Sequence, residues 1–354
     1  MQPLLDNLPD VWALTIIGFA GGAVLGLAAR LGRFCTLGAI EDFLYQGSSV
    51  RLRMWALAIA VATFGSFALV AAGHLDLSQT TYQQTAWSPP ASILGGLLFG
   101  YGMSLAGNCG FGALARFGGG DLRSFVIVLV MGVAAYVMLS GPLAAMRVAF
   151  VESTTLPTSY LGYADLAAAI VGAPVSIIGM AIAACIGVAA FSSNQLRRDK
   201  NAVIWACAAG LAIVSGWAGT QWVANTGFSA TTVHSHTYTV PLGETLIFLM
   251  TASGGGLSFG VGSVFGVLVG AFSGSLIKGH FRWEACEDPR ELKRQFLGAT
   301  LMGFGAVLAV GCTIGQGISA FSVLAFGAPV TFAAVFAGAA LGLRQLITGF
   351  STSY

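Results

Sequence analysis

Three cysteines share one local pattern, in which an apolar run containing Gly ends in Cys and another Gly follows three residues on. They read Gly32-Arg33-Phe34-Cys35-Thr36-Leu37-Gly38-Ala39, Gly107-Asn108-Cys109-Gly110-Phe111-Gly112-Ala113 and Gly311-Cys312-Thr313-Ile314-Gly315-Gln316-Gly317. Each leads into a stretch too polar and too rich in Gly to span a membrane alone. Backbone broken at membrane depth is tolerated only where protein or a water-filled cavity lines it. The pattern therefore predicts re-entrant turns opening into short helices. A short helix starting at that depth aims unpaired N–H groups and a partial positive charge at whatever precedes it. That is an anion site, and a Cys at its head either loses its proton more easily or donates its S–H readily.

Three soft sulfur groups along one axis suit an anion with a soft, polarizable end. Oxyanions of sulfur, or hydrosulfide, fit that description better than chloride or phosphate. No Lys or Arg falls clearly inside an apolar run, so the anion must rest on backbone dipoles and on side chains such as Asn108 and Gln316. Gly110 and Gly315 belong to the same path, where the turn N–H groups hold the oxygens. Weak binding at several points is what conduction requires. Cys207-Ala208-Ala209-Gly210 matches the spacing too, but inside an ordinary apolar run. Cys185 and Cys207 read as small core residues, and Cys286, between Glu284 and Glu287, as an incidental free thiol.

The elements around these turns follow from composition. Only 8% of the 354 residues are charged and 56% are hydrophobic, against about 25% charged in a typical soluble domain. So few charges cannot cover a water-exposed surface, which excludes a soluble enzyme, a disordered chain and a nucleic-acid binder. Apolar runs long enough to cross a bilayer lie near 11–29, 54–73, 91–107, 124–146, 166–191, 201–222, 243–277, 295–311 and 328–346. The chain is thus expected to be an all-α polytopic membrane protein with about nine transmembrane helices plus short re-entrant ones. The run 243–277 is too long for one straight span, so it is either strongly tilted or broken, and it counts as one crossing.

Basic residues favour the cytoplasmic side. Arg30, Arg33, Arg51 and Arg53 flank the first connection, and Arg116 and Arg123 the third. Arg197, Arg198 and Lys200 sit in the fifth, and Lys278, Arg282, Arg290, Lys293 and Arg294 in the seventh. The connections 74–90, 152–165 and 223–242 hold none. This places the N-terminus outside and the C-terminus inside, with only Arg147 on the wrong side. No signal peptide is expected, because no Lys or Arg precedes the first apolar run.

Cys35 and Cys109 are then entered from the cytoplasmic side and Cys312 from the outer side. Residues 1–150 and 201–354 start with crossings of opposite direction, as in inverted pseudo-two-fold repeats whose broken helices meet near the midplane. Residues 151–200 supply an extra span, and one membrane domain accounts for 1–354. The fourth expected turn, at 223–242, has no Cys but offers Asn225, Ser229, Thr231, Thr232, Ser235 and Thr237. Gly18, Gly22 and Gly26, the set Gly262, Gly266, Gly270 and Gly274, and the pair Gly338 and Gly342 recur every four residues and predict close helix packing.

Other chemistries fit less well. A Zn or Fe–S site needs four close ligands, commonly in Cys-x-x-Cys pairs, and none occurs; no cofactor is expected. His234 and His236 read as solvated residues of an outer connection. Glu41, Asp42 and Glu244 read as partners of helix-end N–H groups or of Arg, or as a proton relay.

The stretch from Leu297 to Gly317, ending Gly311-Cys312-Thr313-Ile314-Gly315-Gln316-Gly317, resembles the C-terminal signature of the YeeE/YedE sulfur-transport family. Gly32-Arg33-Phe34-Cys35 and Gly107-Asn108-Cys109-Gly110 resemble its two N-terminal motifs, and Thr237-Tyr238-Thr239-Val240-Pro241-Leu242-Gly243 its stretch before the seventh crossing. The resemblance implies a bacterial inner-membrane protein that takes up thiosulfate, with nine spanning helices and short re-entrant ones in a pseudo-symmetric hourglass. It implies that Cys35, Cys109 and Cys312 pass the ion along by S–H hydrogen bonds to its terminal sulfur. It also implies a small TusA-like sulfur-carrier protein as cytoplasmic partner, which is not expected to be fused here. The Cys-Pro motif of selenium-linked relatives is absent, which favours thiosulfate. Two alternatives stay open: a membrane sulfurtransferase forming a cysteine persulfide, and a transporter of another small anion such as sulfite or selenite.

Overall fold

The computed structural model describes residues 9–227, 231–252, 256–284 and 289–349. Cys286 and Ser229 lie outside the described residues. The described chain is helical throughout, with only the isolated bridges Thr80–Val233 and Asp121–Glu284 between extended residues. Its helices, apart from the short pieces Leu77–Gln79, Thr81–Gln84 and Asn194–Arg198, are α1 Asp10–Leu31, α2 Thr36–Tyr45, α3 Val50–Ala71, α4 Pro89–Ala106, α5 Gly110–Gly118, α6 Leu122–Leu139 and α7 Ala144–Thr154. They continue as α8 Tyr163–Val171, α9 Val175–Phe191, α10 Lys200–Thr226, α11 Val240–Met250, α12 Phe259–Ile277, α13 Pro289–Leu308 and α14 Gly327–Thr348. A further short helix at 313–322 has a π-helical centre, Gly315–Ala320.

Helix ends sit where the residues dictate. Asp10 and Arg30 occupy the first and last turns of α1, each favourable to the helix dipole at its end. Ser88 caps α4 by accepting the Ala91 N–H, with proline in the first turn, where the missing donor costs nothing. Gly107, at φ 76°, ends the same helix. Asp121 caps α6 and Ser258 caps α12. Arg147, the one basic residue at odds with the charge pattern, donates to the Met138 and Leu139 carbonyls and so closes the end of α6.

Six helical stretches among the described residues are long and apolar enough to cross a membrane: Asp10–Tyr45, Val50–Ala71, Leu122–Leu139, Lys200–Thr226, Phe259–Ile277 and Gly327–Thr348. The first contains α1, the break at 32–35 and α2. The pair α8 and α9, bent by 112° at Gly172-Ala173-Pro174, would make seven. A count of nine requires the less apolar α4 and α13 to cross as well. The expected run 243–277 is broken into α11 and α12, and 124–146 ends at Leu139 before Ser140-Gly141-Pro142. The connection 223–242 departs most from expectation: its described non-helical stretch 231–239 folds into the protein, where His236, Tyr238 and Thr239 are buried.

The order of elements is the same in both halves. Residues 10–139 run long, short, long, then long, short, long (α1 to α6). Residues 200–348 do so again, through α10, α11, α12, α13, the helix at 313–322 and α14. Packing follows that order: α1 lies on α12 and α3 on α10, while α4 lies on α14 and α6 on α13. The expected glycine stripes form these contacts. A Cβ at Gly18 or Gly22 would overlap the backbone oxygen of Phe259 or Ser263, and one at Gly262, Gly266 or Gly270 that of Thr15, Phe19 or Ala23. Such approach, possible only without a side chain, holds α1 and α12 backbone to backbone. Gly100 against the Val335 carbonyl and Gly338 against the Leu97 carbonyl do the same for α4 and α14. Large apolar side chains such as Val133, Ile204 and Leu341 stand on the outer surface at 58–62% exposure.

Candidate functional site

Each motif cysteine heads a short helix: Cys35 before α2, Cys109 before α5 and Cys312 before the helix at 313–322. The turns into them share a backbone signature. The residue two before each Cys is left-handed: Arg33 at φ 56°, Gly107 at φ 76° and Val310 at φ 56°. A β-branched residue there is a genuine outlier, and strain of this kind persists only where surrounding structure enforces it. The Gly three residues on also gains a reason. Its N–H donates to the cysteine sulfur, from Gly112 to Cys109 Sγ at 3.3 Å and from Gly315 to Cys312 Sγ at 3.5 Å. With its acceptor side engaged by backbone, each thiol keeps its S–H to donate. Cys35 makes no such cap bond.

The turns bring the three thiols together. Cys109 and Cys312 are 0% and 1% exposed, and Cys109 lies within electrostatic reach of Cys35 and Cys312 and within hydrogen-bonding reach of the Thr313 hydroxyl. Cys35 and Asn108 line a cavity of about 430 Å³ whose wall also carries Arg30, Arg33, Arg51, Arg116 and Lys278, against Glu41. We call this the basic end. A second cavity, of about 340 Å³, is lined by Tyr82, Ser88, Ser92 and Gln316. It lies among the start of α4, the end of α13 and the start of α14, away from the basic end. Cys109 and Cys312 line neither cavity, though Asn108 lines the first and Gln316 the second; we call the buried region that holds both thiols the waist.

The fourth turn meets this waist. The Tyr238 N–H donates to Cys312 Sγ at 3.3 Å, and the Thr237 hydroxyl lies 3.7 Å from it. Tyr238 is tied in turn to Ser263, whose hydroxyl also bonds His236 Nδ1 at 2.7 Å. His236 is 0% exposed. For His236 the expectation of a solvated residue is therefore corrected, because the connection that carries it turns inward; His234 is half-buried. Asp42 pairs with Arg51 at 3.2 Å, and Glu244 accepts from Ser258, the cap of α12, both as helix-end partners.

Asn108 is buried beside the basic cavity with its Oδ1 unpartnered. Gln316 differs from expectation in detail. Its Nε2 donates to the Ala309 and Val310 carbonyls at 2.7 and 2.9 Å, so both amide hydrogens hold the strained turn and only Oε1 is free. It shapes the Cys312 turn, and as placed it offers an anion no donor. A Cβ at Gly315 would lie 2.6 Å from Thr237 Oγ1 and 3.0 Å from Tyr82 Oη, whereas one at Gly110 meets only the mobile end of Met131 within 3 Å. Gly315→Ala is therefore expected to lower transport severely while Gly110→Ala is nearly neutral; uptake normalised to membrane expression checks this.

Tyr82 and Thr313 were not legible as site residues. Tyr82 sits in a connection that reads as an ordinary loop, and the only cue at Thr313 is the Cys-Thr pair it shares with Cys35-Thr36. Cys185, exposed on α9, and Cys207, within α10, stand apart from the three motif turns. Among the described residues no group of three or more His, Cys, Asp or Glu could hold a metal.

A family model described as sulphur transport matches residues 31–341, a stretch that contains all three motif cysteines. The chain belongs to the YeeE/YedE sulphur-transport family. Relatives of this family member span nearly its whole length. A protein of Escherichia coli strain K12 named thiosulfate transporter TsuA is 26% identical over 330 residues, covering 87% of this chain and 88% of that protein. A protein of the same name from Spirochaeta thermophila is 26% identical over 329 residues, covering 89% and 92%. A probable transporter, YedE of Escherichia coli strain K12, is 30% identical over 95 residues, 27% of this chain and 22% of that protein. Family membership and the apolar helices together make this a multi-pass membrane protein related to sulfur-anion transporters.

Proposed function

We propose that this protein takes up thiosulfate across the bacterial inner membrane, passing the ion from Cys312 to Cys109 to Cys35. The observation that carries this reading is the buried Cys109 thiol, within electrostatic reach of the other two motif thiols, with Asn108 beside it on the wall of one cavity and Gln316, near Cys312, on that of the other. Thiosulfate is a dianion with a soft terminal sulfur and hard oxygens. A neutral thiol offers one weak donor suited to the soft end, and turn N–H groups with Asn108 and Thr313 suit the oxygens. Among the described residues no Lys or Arg is buried, so the ion is held loosely at several points and can leave.

The recurrence of element order and its packing counterparts support an inverted pseudo-two-fold repeat of residues 1–150 and 201–354, with 151–200 as an insertion. In this arrangement α4 and α13 cross as well, giving nine spans in contact with lipid. The basic end is then cytoplasmic, with the N-terminus outside and the C-terminus inside. Its ring of basic residues draws the anion off Cys35 and presents it to a TusA-like carrier protein. The chain acts as a transporter rather than an enzyme, since no step here makes or breaks a bond.

The test is growth on thiosulfate as sole sulfur source, in a host lacking its own uptake systems, with and without a TusA-like partner. Rescue in either case is the expected result. Failure in both, with the protein present in the membrane, contradicts thiosulfate as the substrate.

A further inference from the structure

Tyr82 lies in the single turn Thr81–Gln84 of the connection between α3 and α4. The turn is pinned on both sides. Thr81 donates its N–H and its hydroxyl to the Val233 carbonyl at 2.9 and 3.1 Å, and Gln83 Nε2 donates to the Val323 carbonyl at 2.9 Å. It thus bridges the fourth turn and the end of the helix that Cys312 heads. The Tyr82 ring packs edge-on against Trp217, with centroids 6.2 Å apart. Trp217 is itself fixed by Nε1 to the Ser322 hydroxyl at 2.9 Å.

Tyr82 reaches from a cavity wall towards the Cys312 turn. Tyr82 lines the cavity away from the basic end, yet its hydroxyl meets that of Thr237. Thr237 Oγ1 is 3.7 Å from Cys312 Sγ, and Cys312 is absent from the cavity wall at 1% exposure. Both hydroxyls also crowd Gly315, where a Cβ would lie within 3.0 Å of each.

We propose that Tyr82 is the outer gate and selector of the path: its ring closes the cavity off from Cys312, and its hydroxyl and that of Thr237 take the anion's oxygens while the thiol takes the sulfur. This rests on Cys312 being the outermost thiol of the path. Two hydroxyl donors beside one thiol match an anion carrying oxygens and a terminal sulfur, and match poorly an anion with no oxygen, such as hydrosulfide. An arriving oxyanion exchanges hydration for these donors, and the ring must turn aside as it passes.

The gate is tested by labelling Cys312 from the outer face of intact spheroplasts with a negatively charged, membrane-impermeant methanethiosulfonate reagent. Modification is read at that peptide by mass spectrometry, and folding by size-exclusion profile. Wild type and Tyr82→Phe, which keep the ring, should label slowly, and Tyr82→Ala severalfold faster. Equal rates in all three folded proteins would overturn the gate. Tyr82→Phe should also lower thiosulfate uptake about tenfold or more, the scale of one hydrogen bond to a charged group. Unchanged uptake would overturn the selector role, independently of whether Tyr82→Ala folds. Faster labelling of Tyr82→Ala without protection of Cys312 by thiosulfate in any variant supports the gate and removes thiosulfate as its ligand.

Discussion

Cys109→Ala is expected to abolish thiosulfate uptake while leaving membrane expression intact. Cys109 is the thiol within electrostatic reach of both of the others, and it is fully buried; in the proposed relay it joins the two. Removing it deletes one small apolar contact from the core and the sulfur cap on the Gly112 N–H. A cap loss costs about 0.5–2 kcal/mol, which a folded bundle of this size withstands. Cys35→Ala and Cys312→Ala should reduce uptake, each removing one end of the relay. Cys185→Ala and Cys207→Ala should be near-neutral, since neither residue belongs to a motif turn. Initial uptake rates normalised to blotted protein check the series, and equal loss in all five variants would contradict a relay.

The second large effect concerns folding. In Gly22→Ala the new methyl group would overlap the Ser263 carbonyl across the α1–α12 contact, and in Gly100→Ala the Val335 carbonyl across the α4–α14 contact. Backbone cannot turn aside as a side chain does, so these substitutions belong at the upper end of the overpacking range of about 1–3 kcal/mol. The two contacts lie in different helix pairs, and their costs should add. The double variant is expected to lose most of its monodisperse yield in detergent and the singles to melt several degrees lower. Gly187→Ala is the control: its Cβ would meet only Ala60 Cβ, at 3.7 Å. A wild-type melting temperature for Gly22→Ala would show that α1 and α12 are not packed backbone to backbone.

Much of this was legible in the sequence, for identifiable reasons. The motif turns announce themselves because Gly and Cys interrupt apolar runs, and the stripe Gly262, Gly266, Gly270, Gly274 reports helix contact because only close packing calls for that period. Tertiary placement was not legible. Tyr82 reaches the waist through bonds to Val233 and Val323, far away in sequence. His236 reads as solvated because a polar stretch does not reveal that it folds inward. Gln316 reads as an anion donor until the carbonyls of Ala309 and Val310 are seen to occupy its amide. The break between α11 and α12 falls within an apolar run whose composition left tilting and breaking equally open.

The central claim, that the ion passes intact along the three thiols, is tested most directly with purified protein in liposomes. Thiosulfate carrying different labels on its two sulfur atoms would be offered outside, and the lumen assayed for both. The account predicts that both labels enter in equal amounts, with no carrier protein present, and that neither enters with Cys109→Ala. Entry of the terminal sulfur alone, with a persulfide adduct on Cys35 or Cys109, would contradict it and make the protein a sulfurtransferase.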